Sequence, residues 1–240
     1  MALLSLFSAS VTFGFKPLRR PAPDLYYPVR NWAYRAWTTG LCWAWNIHLE
    51  IDGDPPTGDY FLVTNHLSYI DIPVLARKLH GTFIAKSELS GWPVAGQIIR
   101  SGDTIFIDRG RKRDLLRVME EVDRTLGDGL GVILFPEGTS SSGESMLPFK
   151  PSLLQIAAGS HRPVHWATLE YRTEDAERLP SRFVNWWGDE GFVPHYLRFV
   201  TLDRITAVIR FGPDPVHGRD RKELSAALRE RMMDAFRPMK

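Results

Sequence analysis

A histidine and an aspartate, His66 and Asp71, lie five positions apart in the stretch TNHLSYIDIPVL, directly after an apolar run. A carboxylate that accepts a hydrogen bond from one imidazole nitrogen fixes the tautomer, which leaves the other nitrogen free to act as a base. The GxSxG pattern of a serine nucleophile is absent. The base would therefore act on a substrate hydroxyl rather than on a nucleophile of the enzyme.

The same stretch also allows a structural interpretation. Pro73 has no backbone N–H and suits the first turn of a helix, so a helix is predicted to begin near residues 68–71. Asp71 or Ser68 would then be its N-cap. Spacing alone leaves both interpretations open.

Two further stretches place polar residues directly after predicted strands. TIFIDRG carries Arg109, and ILFPEGTSSSG carries Glu137, Gly138 and Thr139. Arginine can clamp a phosphate with two parallel hydrogen bonds, and a glycine turn can direct backbone N–H groups at an anion. Each signal alone is weak, because such residues are common in ordinary surface loops.

In this order, the segments 65–71, 105–109 and 135–140 resemble the three sequence blocks of the glycerolipid acyltransferase family, and more narrowly the 1-acylglycerol-3-phosphate acyltransferases. Residues 85–89, with Lys86, are also similar to the family, and the resemblance spans about residues 55–170. A fourth block is less clear, because Arg162-Pro163-Val164-His165 stands in its place. His195 lies outside the blocks and is expected to be structural or on the surface.

The resemblance implies that a fatty acyl group passes from acyl-CoA or acyl carrier protein to the hydroxyl of a lysophospholipid, without a covalent enzyme intermediate. His66 would be the base and Asp71 its partner. No metal and no cofactor beyond the thioester co-substrate are expected. Glu137 is an awkward neighbour for a phosphate, so it would bond a hydroxyl, orient Arg109 or support its loop. The implied substrate-binding residues are Arg109, Glu137, Gly138, Thr139 and Lys86.

These residues need a scaffold, and the pattern after residue 51 alternates between short apolar strands and helices. It predicts a single α/β domain with a largely parallel or mixed sheet covered by helices on both faces. Residues 113–126 are predicted to form an amphipathic helix with Leu116, Met119, Val122 and Leu126 on its apolar face. The catalytic domain is assigned to residues 51–240, and residues 1–50 to N-terminal membrane-associating helices.

The N-terminal segment is rich in tryptophan, with Trp32, Trp37, Trp43 and Trp45 inside residues 31–51. PAPDLYYP, residues 21–28, is predicted to break the chain before it. Tryptophan favours the headgroup zone of a bilayer, and basic residues at 16–35 attract anionic lipids. We expect a peripheral or monotopic protein at the cytoplasmic face of a membrane; a core helix and a membrane span are the alternatives.

Composition is that of an ordinary globular domain, with 44% hydrophobic and 24% charged residues in 240. Cys42 is the sole cysteine, which excludes an internal disulfide and suggests a reducing compartment. No nucleic-acid partner is expected. Three alternative functions stay open: acylation of another lysolipid such as lyso-ornithine lipid or lysophosphatidylcholine, a catalytically silent lipid-binding protein, and a phosphohydrolase.

Overall fold

The computed structural model describes residues 2–93, 95–160 and 162–239. Within them one seven-stranded sheet has the order β1-β7-β6-β2-β5-β3-β4. Neighbouring strands are parallel except for β6 and β7, which are antiparallel. The strands are β1 Ile47–Asp52, β2 Phe61–Thr64, β3 Gly81–Lys86, β4 Ile105–Ile107, β5 Gly131–Leu134, β6 Val164–Thr173 and β7 Ile205–Phe211.

The helices of the described chain lie on both faces of this sheet, and short 3-10 helices occur at Lys16–Arg19 and Ser87–Gly91. No helix in the described ranges combines the length and the apolar character needed to cross a membrane. The helices are α1 Ala2–Phe15, α2 Pro23–Ala44, α3 Asp71–Ala76, α4 Ala95–Ser101, α5 Lys112–Gly127, α6 Pro151–Gly159, α7 Pro180–Phe183, α8 Phe192–Phe199 and α9 Arg221–Ala235.

The sheet separates two apolar cores, because successive side chains of a strand point to opposite faces. In β2, Leu62 packs with α2, α3 and residues of α8, whereas Phe61 and Val63 pack with α5, α6 and α9. All four residues of β2 are buried, as is typical of a central strand covered on both sides. The predicted α/β class is thus confirmed, with a mixed rather than wholly parallel sheet.

The tryptophan-rich segment differs from its prediction, because residues 31–51 are not one helix. Helix α2 ends at Ala44, and Asn46 adopts a left-handed conformation with φ of 49°. The chain then enters β1, an edge strand whose alternating exposure fits a half-covered surface. The sequence signal for strand β1 was weak because exposed residues interrupt its apolar residues.

The predicted break at residues 21–28 is also shorter than expected. Pro23 is the first residue of helix α2, and the helix continues without a break through Pro28. Proline suits the first turn, and Pro28, in the second turn, removes the one hydrogen bond that a residue there would donate to the carbonyl of Asp24.

The apolar face of α5 is the third difference from the sequence prediction. Val118, Val122 and Leu126 are buried as a stripe, while Leu116 is 65% exposed. Leu116 lies about half a turn away from Val118 around the helix, so it cannot share the buried face. Met119 packs at the edge of the core, as predicted.

A buried acid attaches the N-terminal helices to the sheet. Asp103, between α4 and β4, is almost fully buried and accepts a 2.6 Å hydrogen bond from the hydroxyl of Tyr26. The guanidinium of Arg30, also buried, lies 3.7 Å away and donates to the carbonyl of Gly81. Arg19 donates to the other carboxylate oxygen at 3.4 Å. Helix α2 is therefore bound to the sheet by charge as well as by apolar contact.

Candidate active site

The polar residues predicted to do chemistry follow neighbouring parallel strands. His66 follows β2, Glu137 follows β5, and Arg109 follows β4. Because β2, β5, β3 and β4 are parallel and adjacent, their carboxyl ends meet at one edge of the sheet. This edge is where open α/β sheets bind ligands.

His66 and Asp71 form a hydrogen-bonded pair at this edge. Nδ1 of His66 lies 2.7 Å from Oδ2 of Asp71. The imidazole stacks on the ring of Phe135 with centroids 4.1 Å apart. The histidine side chain is 22% exposed while the aspartate is 0% exposed. No hydrogen bond to Nε2 is found within the described residues, so that nitrogen is available to a substrate.

The carboxylate of Asp71 also organises the loop that carries His66. Oδ2 accepts from the backbone N–H of Leu67 at 2.7 Å and of Ser68 at 3.1 Å. Oδ1 accepts from the hydroxyl of Tyr171 at 2.8 Å. A carboxylate with this many donors is held in one orientation.

The N-cap interpretation of this stretch is wrong for both residues it named. Ile70 occupies the N-cap of α3 and makes no side-chain cap hydrogen bond. Asp71 is instead the first helical residue, and its carboxylate turns back toward the preceding loop. The physical reason is that the loop N–H groups and the imidazole supply donors on that side.

Glu137 supports the histidine loop from β5. Oε1 accepts from the backbone N–H of His66 at 2.9 Å, and Oε2 from that of Leu147 at 3.0 Å. Burial raises the pKa of Glu137 to about 7; the two backbone hydrogen bonds oppose this shift, and the charge of Asp71 adds to it. Both oxygens are occupied, so of the roles considered for Glu137 the geometry corresponds to loop support.

Arg109 and Gly138 meet beside this loop. Nη1 of Arg109 donates to the carbonyl of Gly138 at 2.9 Å. Burial lowers the pKa of the guanidinium, and Glu88 opposes that shift. Gly138 has φ of +72°, and a Cβ there would lie 2.7 Å from Nη1 of Arg109 and 3.3 Å from Nζ of Lys150. The positive φ favours glycine here, and a Cβ would also displace the flexible ends of the two cationic side chains from the turn.

Lys86 and Thr139 lie at the same edge of the sheet, but their side chains form no hydrogen bond with the His66–Asp71 pair in the described chain. Lys86 ends β3 and is paired in register with Ile107 of β4, two residues before Arg109. Thr139 follows Gly138 in the turn. Both side chains are exposed, and neither makes a hydrogen bond to His66 or Arg109 within the described chain.

Sequence reasoning missed several residues that build this site. Asn65 bonds the backbone of Leu169 twice, at 2.9 and 2.7 Å, and so continues the contact between β2 and β6. Ser141 donates its N–H to the carbonyl of His66 at 3.0 Å. Lys150 directly precedes the proline that begins α6, and a basic residue at this place could have been considered a candidate anion-binding residue. No sequence signal points to Tyr171, since it contacts Asp71 from a distant strand.

His195 is buried and does not lie on the surface, which was one of the two placements expected for it. It is fully buried in α8, with Nδ1 3.2 Å from the hydroxyl of Tyr69, and burial lowers the pKa of its imidazole. In the part of the chain that the structure describes, no group of three or more His, Cys, Asp and Glu is placed to hold a metal ion.

Residues 47–168, which include the sheet edge with the His66–Asp71 pair, match the sequence profile of the acyltransferase family. That match covers about half of the chain. The chain belongs to the acyltransferase family, and it is an acyltransferase enzyme. The resemblance seen in the three sequence blocks is thereby confirmed.

Curated relatives with two different enzyme names are similar to the chain over most of its length. Lyso-ornithine lipid O-acyltransferase of Pseudomonas aeruginosa is 31% identical, over 86% of this chain and 79% of the relative. The 1-acyl-sn-glycerol-3-phosphate acyltransferase of Neisseria gonorrhoeae is 32% identical, over 84% and 79%.

A solved structure supports the fold. The crystal structure of the 1-acyl-sn-glycerophosphate acyltransferase from Thermotoga maritima aligns over 97% of each chain with a TM-score of 0.55 and 18% identity.

Proposed function

We propose that the enzyme transfers a fatty acyl group from acyl-CoA or acyl carrier protein to the free hydroxyl of 1-acylglycerol-3-phosphate, giving phosphatidic acid. The observation that carries this proposal is the proximity of the His66–Asp71 pair to the Gly138 turn, where Arg109 and Lys150 converge. A base for the hydroxyl and cations for the phosphate lie at one sheet edge. The relative from Neisseria gonorrhoeae carries the corresponding name.

In the proposed reaction, Nε2 of His66 takes the proton of the lysolipid hydroxyl. The alkoxide oxygen attacks the thioester carbonyl and forms a C–O bond and a tetrahedral oxyanion. The oxyanion collapses, the C–S bond breaks, and the thiolate leaves with the proton that His66 returns. Asp71 holds the imidazole throughout and stabilises its charged form, so no covalent enzyme intermediate is required.

Hydrogen-bond donors for the oxyanion come from the Gly138 turn in this proposal. The N–H groups of His66, Leu67 and Ser68 are already used by Glu137 and Asp71. Those of Thr139 and Ser140 donate no hydrogen bond within the described residues. Each donor that reaches an oxyanion contributes about 3 kcal/mol to transition-state stabilisation.

The phosphate would be bound by Arg109 and Lys150, with the hydroxyl of Thr139 and the amine of Lys86 at the rim. Arginine presents a planar pair of donors, and lysine adds a mobile charge. Glu137 stays behind the loop, where its oxygens are already bonded, and does not approach the phosphate.

We place the enzyme as a peripheral protein at the cytoplasmic face of a membrane, where soluble thioester donors are available. Trp32 and Trp43 of α2 are 60% and 83% exposed, while Tyr34, Trp37 and Leu41 pack into the core. Helix α2 therefore combines the two interpretations of the tryptophan-rich segment: one side is core and the other presents indoles that suit a headgroup zone.

A second acceptor, lyso-ornithine lipid, is favoured by the name of the Pseudomonas aeruginosa relative. Its headgroup carries a carboxylate and an ammonium group instead of a phosphate, and the pair of cations suits the carboxylate as it suits a phosphate. Lysophosphatidylcholine combines a phosphate with a cation, and neither curated relative carries a name that supports it as the acceptor.

A lysolipid panel tests the proposal. Lysophosphatidic acid, lyso-ornithine lipid and lysophosphatidylcholine are each offered with one acyl-CoA, and the acylated products are quantified. We expect the highest kcat/KM with lysophosphatidic acid. A preference for lyso-ornithine lipid would transfer the assignment to the second candidate, and no turnover with any of the three acceptors would contradict the proposed substrate class.

The His66→Ala variant tests the mechanism in the same assay. Loss of the base should lower kcat by about 10²–10⁴-fold while the fold and membrane association persist. His217→Ala is the matched control, because His217 is exposed and lies outside the site. Near-normal turnover by His66→Ala would contradict the proposed role of the histidine.

A further inference from the structure

Helix α8, which lies outside the sequence blocks, carries two apolar faces. His195 and Phe199 are buried against the core. Phe192, Val193, Leu197 and the adjoining Val200 are exposed, with Leu197 at 62%. A single exposed leucine is normal, but Val193, Leu197 and Val200 lie within about 60° of one another around the helix axis, and with Phe192 beside them they form a patch that calls for a partner.

This patch adjoins the histidine loop. Just before α8, the N–H of Trp186 donates to the carbonyl of Leu67 at 2.9 Å. Tyr69, in the same loop, packs against Trp186 at 5.7 Å and against Phe192 at 5.1 Å. The indole of Trp92 lies 6.3 Å from that of Trp186 and is itself partly exposed. Whatever covers α8 therefore lies close to the entrance of the site.

The segment that follows α8 connects this patch to the end of helix α2. Arg204 lies four residues after Val200, and Asn46, just after α2, donates a side-chain hydrogen bond to the carbonyl of Asp203. Trp43, which is 83% exposed, lines a cavity of about 310 Å³ together with Arg77 and Arg204. The exposed end of α2 and the residues that follow α8 are thus neighbours.

The cavity beside Trp43 is cationic. The side chain of Arg77 makes no hydrogen bond or ion pair within the described residues. Arg204 pairs with Glu174 at 3.4 Å, but both are about half exposed, so the pair is weak and easily exchanged. Two arginines at the rim of an exposed apolar surface complement the anionic headgroups of a bilayer.

The helices on the opposite face of the sheet provide a contrast. Exposed large apolar residues there are Leu116 of α5 and Met233 of α9, which lie on separate helices. Among the residues whose exposure the structure describes, the other exposed large apolar side chains are on α2, on or next to α8, or at Trp92 and Trp187. The apolar surface is therefore one-sided.

We infer that α8 and the end of α2 form a docking surface for an anionic phospholipid bilayer. Phe192, Val193, Leu197 and Val200 enter the interface, and Arg77 and Arg204 bind headgroup phosphates beside Trp43. This surface goes beyond the N-terminal helices as a membrane contact. Its biological meaning rests on the proposed lipid substrate, but its existence is measurable without any acyl transfer.

The apolar part is tested by vesicle co-sedimentation of the purified full chain in the absence of substrates. Vesicles contain phosphatidylcholine and phosphatidylglycerol in equal parts. The double variant Leu197→Glu, Val200→Glu should lower the partition coefficient at least about tenfold, because two inserted side chains become charged. Leu116→Glu, equally exposed on α5, should bind as the wild type does.

The cationic part is tested by comparing these vesicles with pure phosphatidylcholine. Arg77→Gln and Arg204→Gln should each reduce the gain given by phosphatidylglycerol by about fivefold, and leave binding to pure phosphatidylcholine unchanged. Arg124→Gln on α5 is the matched control.

Thermal unfolding of each variant establishes that it is folded. If the folded Leu197→Glu, Val200→Glu variant sediments with vesicles like the wild type, the inference is overturned. If wild type is instead a dimer that the variant dissociates, with vesicle binding unchanged, the surface is a contact between copies and the bilayer assignment is wrong. Failure of the lysolipid panel alone leaves these binding results unaffected, so the two proposals fail separately.

Discussion

The carboxylate of Asp71 shows how one side chain can begin a helix and position a base. It is the first residue of α3, yet it bonds backwards to two loop N–H groups and to the imidazole of His66. The spacing of the two residues was compatible with their contact, but spacing alone did not distinguish it from a helix cap. The hydrogen bond from the hydroxyl of Tyr171 to Asp71 could not be predicted, because strand order and register bring Tyr171 to Asp71 from a hundred residues away.

Arg109→Ala should raise the KM of the lysophosphatidic acid acceptor by about tenfold or more, because a charge-assisted hydrogen bond to phosphate contributes about 1.5–3 kcal/mol. The KM of the acyl donor should stay within about twofold. Initial rates with one substrate varied at a time give both constants.

Arg111→Ala is the matched control for this substitution, because Arg111 is highly exposed and pairs only with the nearby Asp108. It should change neither constant. Equal increases in acceptor and donor KM for Arg109→Ala would rule out a role of Arg109 specific to the phosphate.

Glu137 makes stability depend on pH in a defined direction. Its folded pKa of about 7 exceeds the ordinary value of 4.5, so the folded state binds the proton more tightly. This carboxyl's contribution to stability is therefore greatest below about pH 4.5 and falls as pH rises through about 7, by up to about 3 kcal/mol.

Glu137→Gln should lack that pH dependence, although it also loses one acceptor and leaves a backbone N–H unsatisfied. Free energies of unfolding from denaturant titrations at about pH 5 and about pH 8 provide the comparison. The difference between wild type and variant should be larger at the lower pH. An identical pH slope in both proteins would show that Glu137 titrates normally.

At the scale of elements, the central strands could be predicted and the edge strand could not. β2 and β5 are short apolar runs buried on both faces, which gives them a strong sequence signal. β1 alternates exposed and buried residues and follows a tryptophan-rich helix, so its signal merges with that of α2. In α5, the predicted apolar face wrongly included Leu116, because leucines occur on two sides of this helix.

Asp103→Asn should destabilise the fold by about 3–5 kcal/mol, because it leaves the fully buried Arg30 without its counter-charge. The substitution retains the size of the side chain, so cavity formation does not contribute. Denaturant unfolding followed by tryptophan fluorescence measures the change.

Asp123→Asn on the exposed surface of α5 is the control and should change stability by no more than about 0.5 kcal/mol. If Asp103→Asn is as stable as wild type, α2 is held by its apolar contacts alone and the buried ion network contributes nothing net.

At the scale of the whole molecule, the site could be anticipated because parallel strands deliver their loops to one edge. His66, Arg109 and the Gly138 turn come together for that reason. Lys150 and Ser141 join them through a long loop after β5, whose path no periodicity encodes. The docking surface was equally hidden, since α8 and α2 become neighbours only when the chain folds.

The pairing of β1 with β7 has a consequence for how the protein is made. β1 leaves the ribosome early, but the strand that pairs with it in the described sheet, β7, begins at Ile205. Until β7 is synthesised, the inner edge of β1 is open as well as its outer edge, and α2 lacks the full core against which it packs. A prematurely terminated chain would expose this edge, so we expect truncated products to be recognised by chaperones and proteases and not to accumulate as partial enzymes.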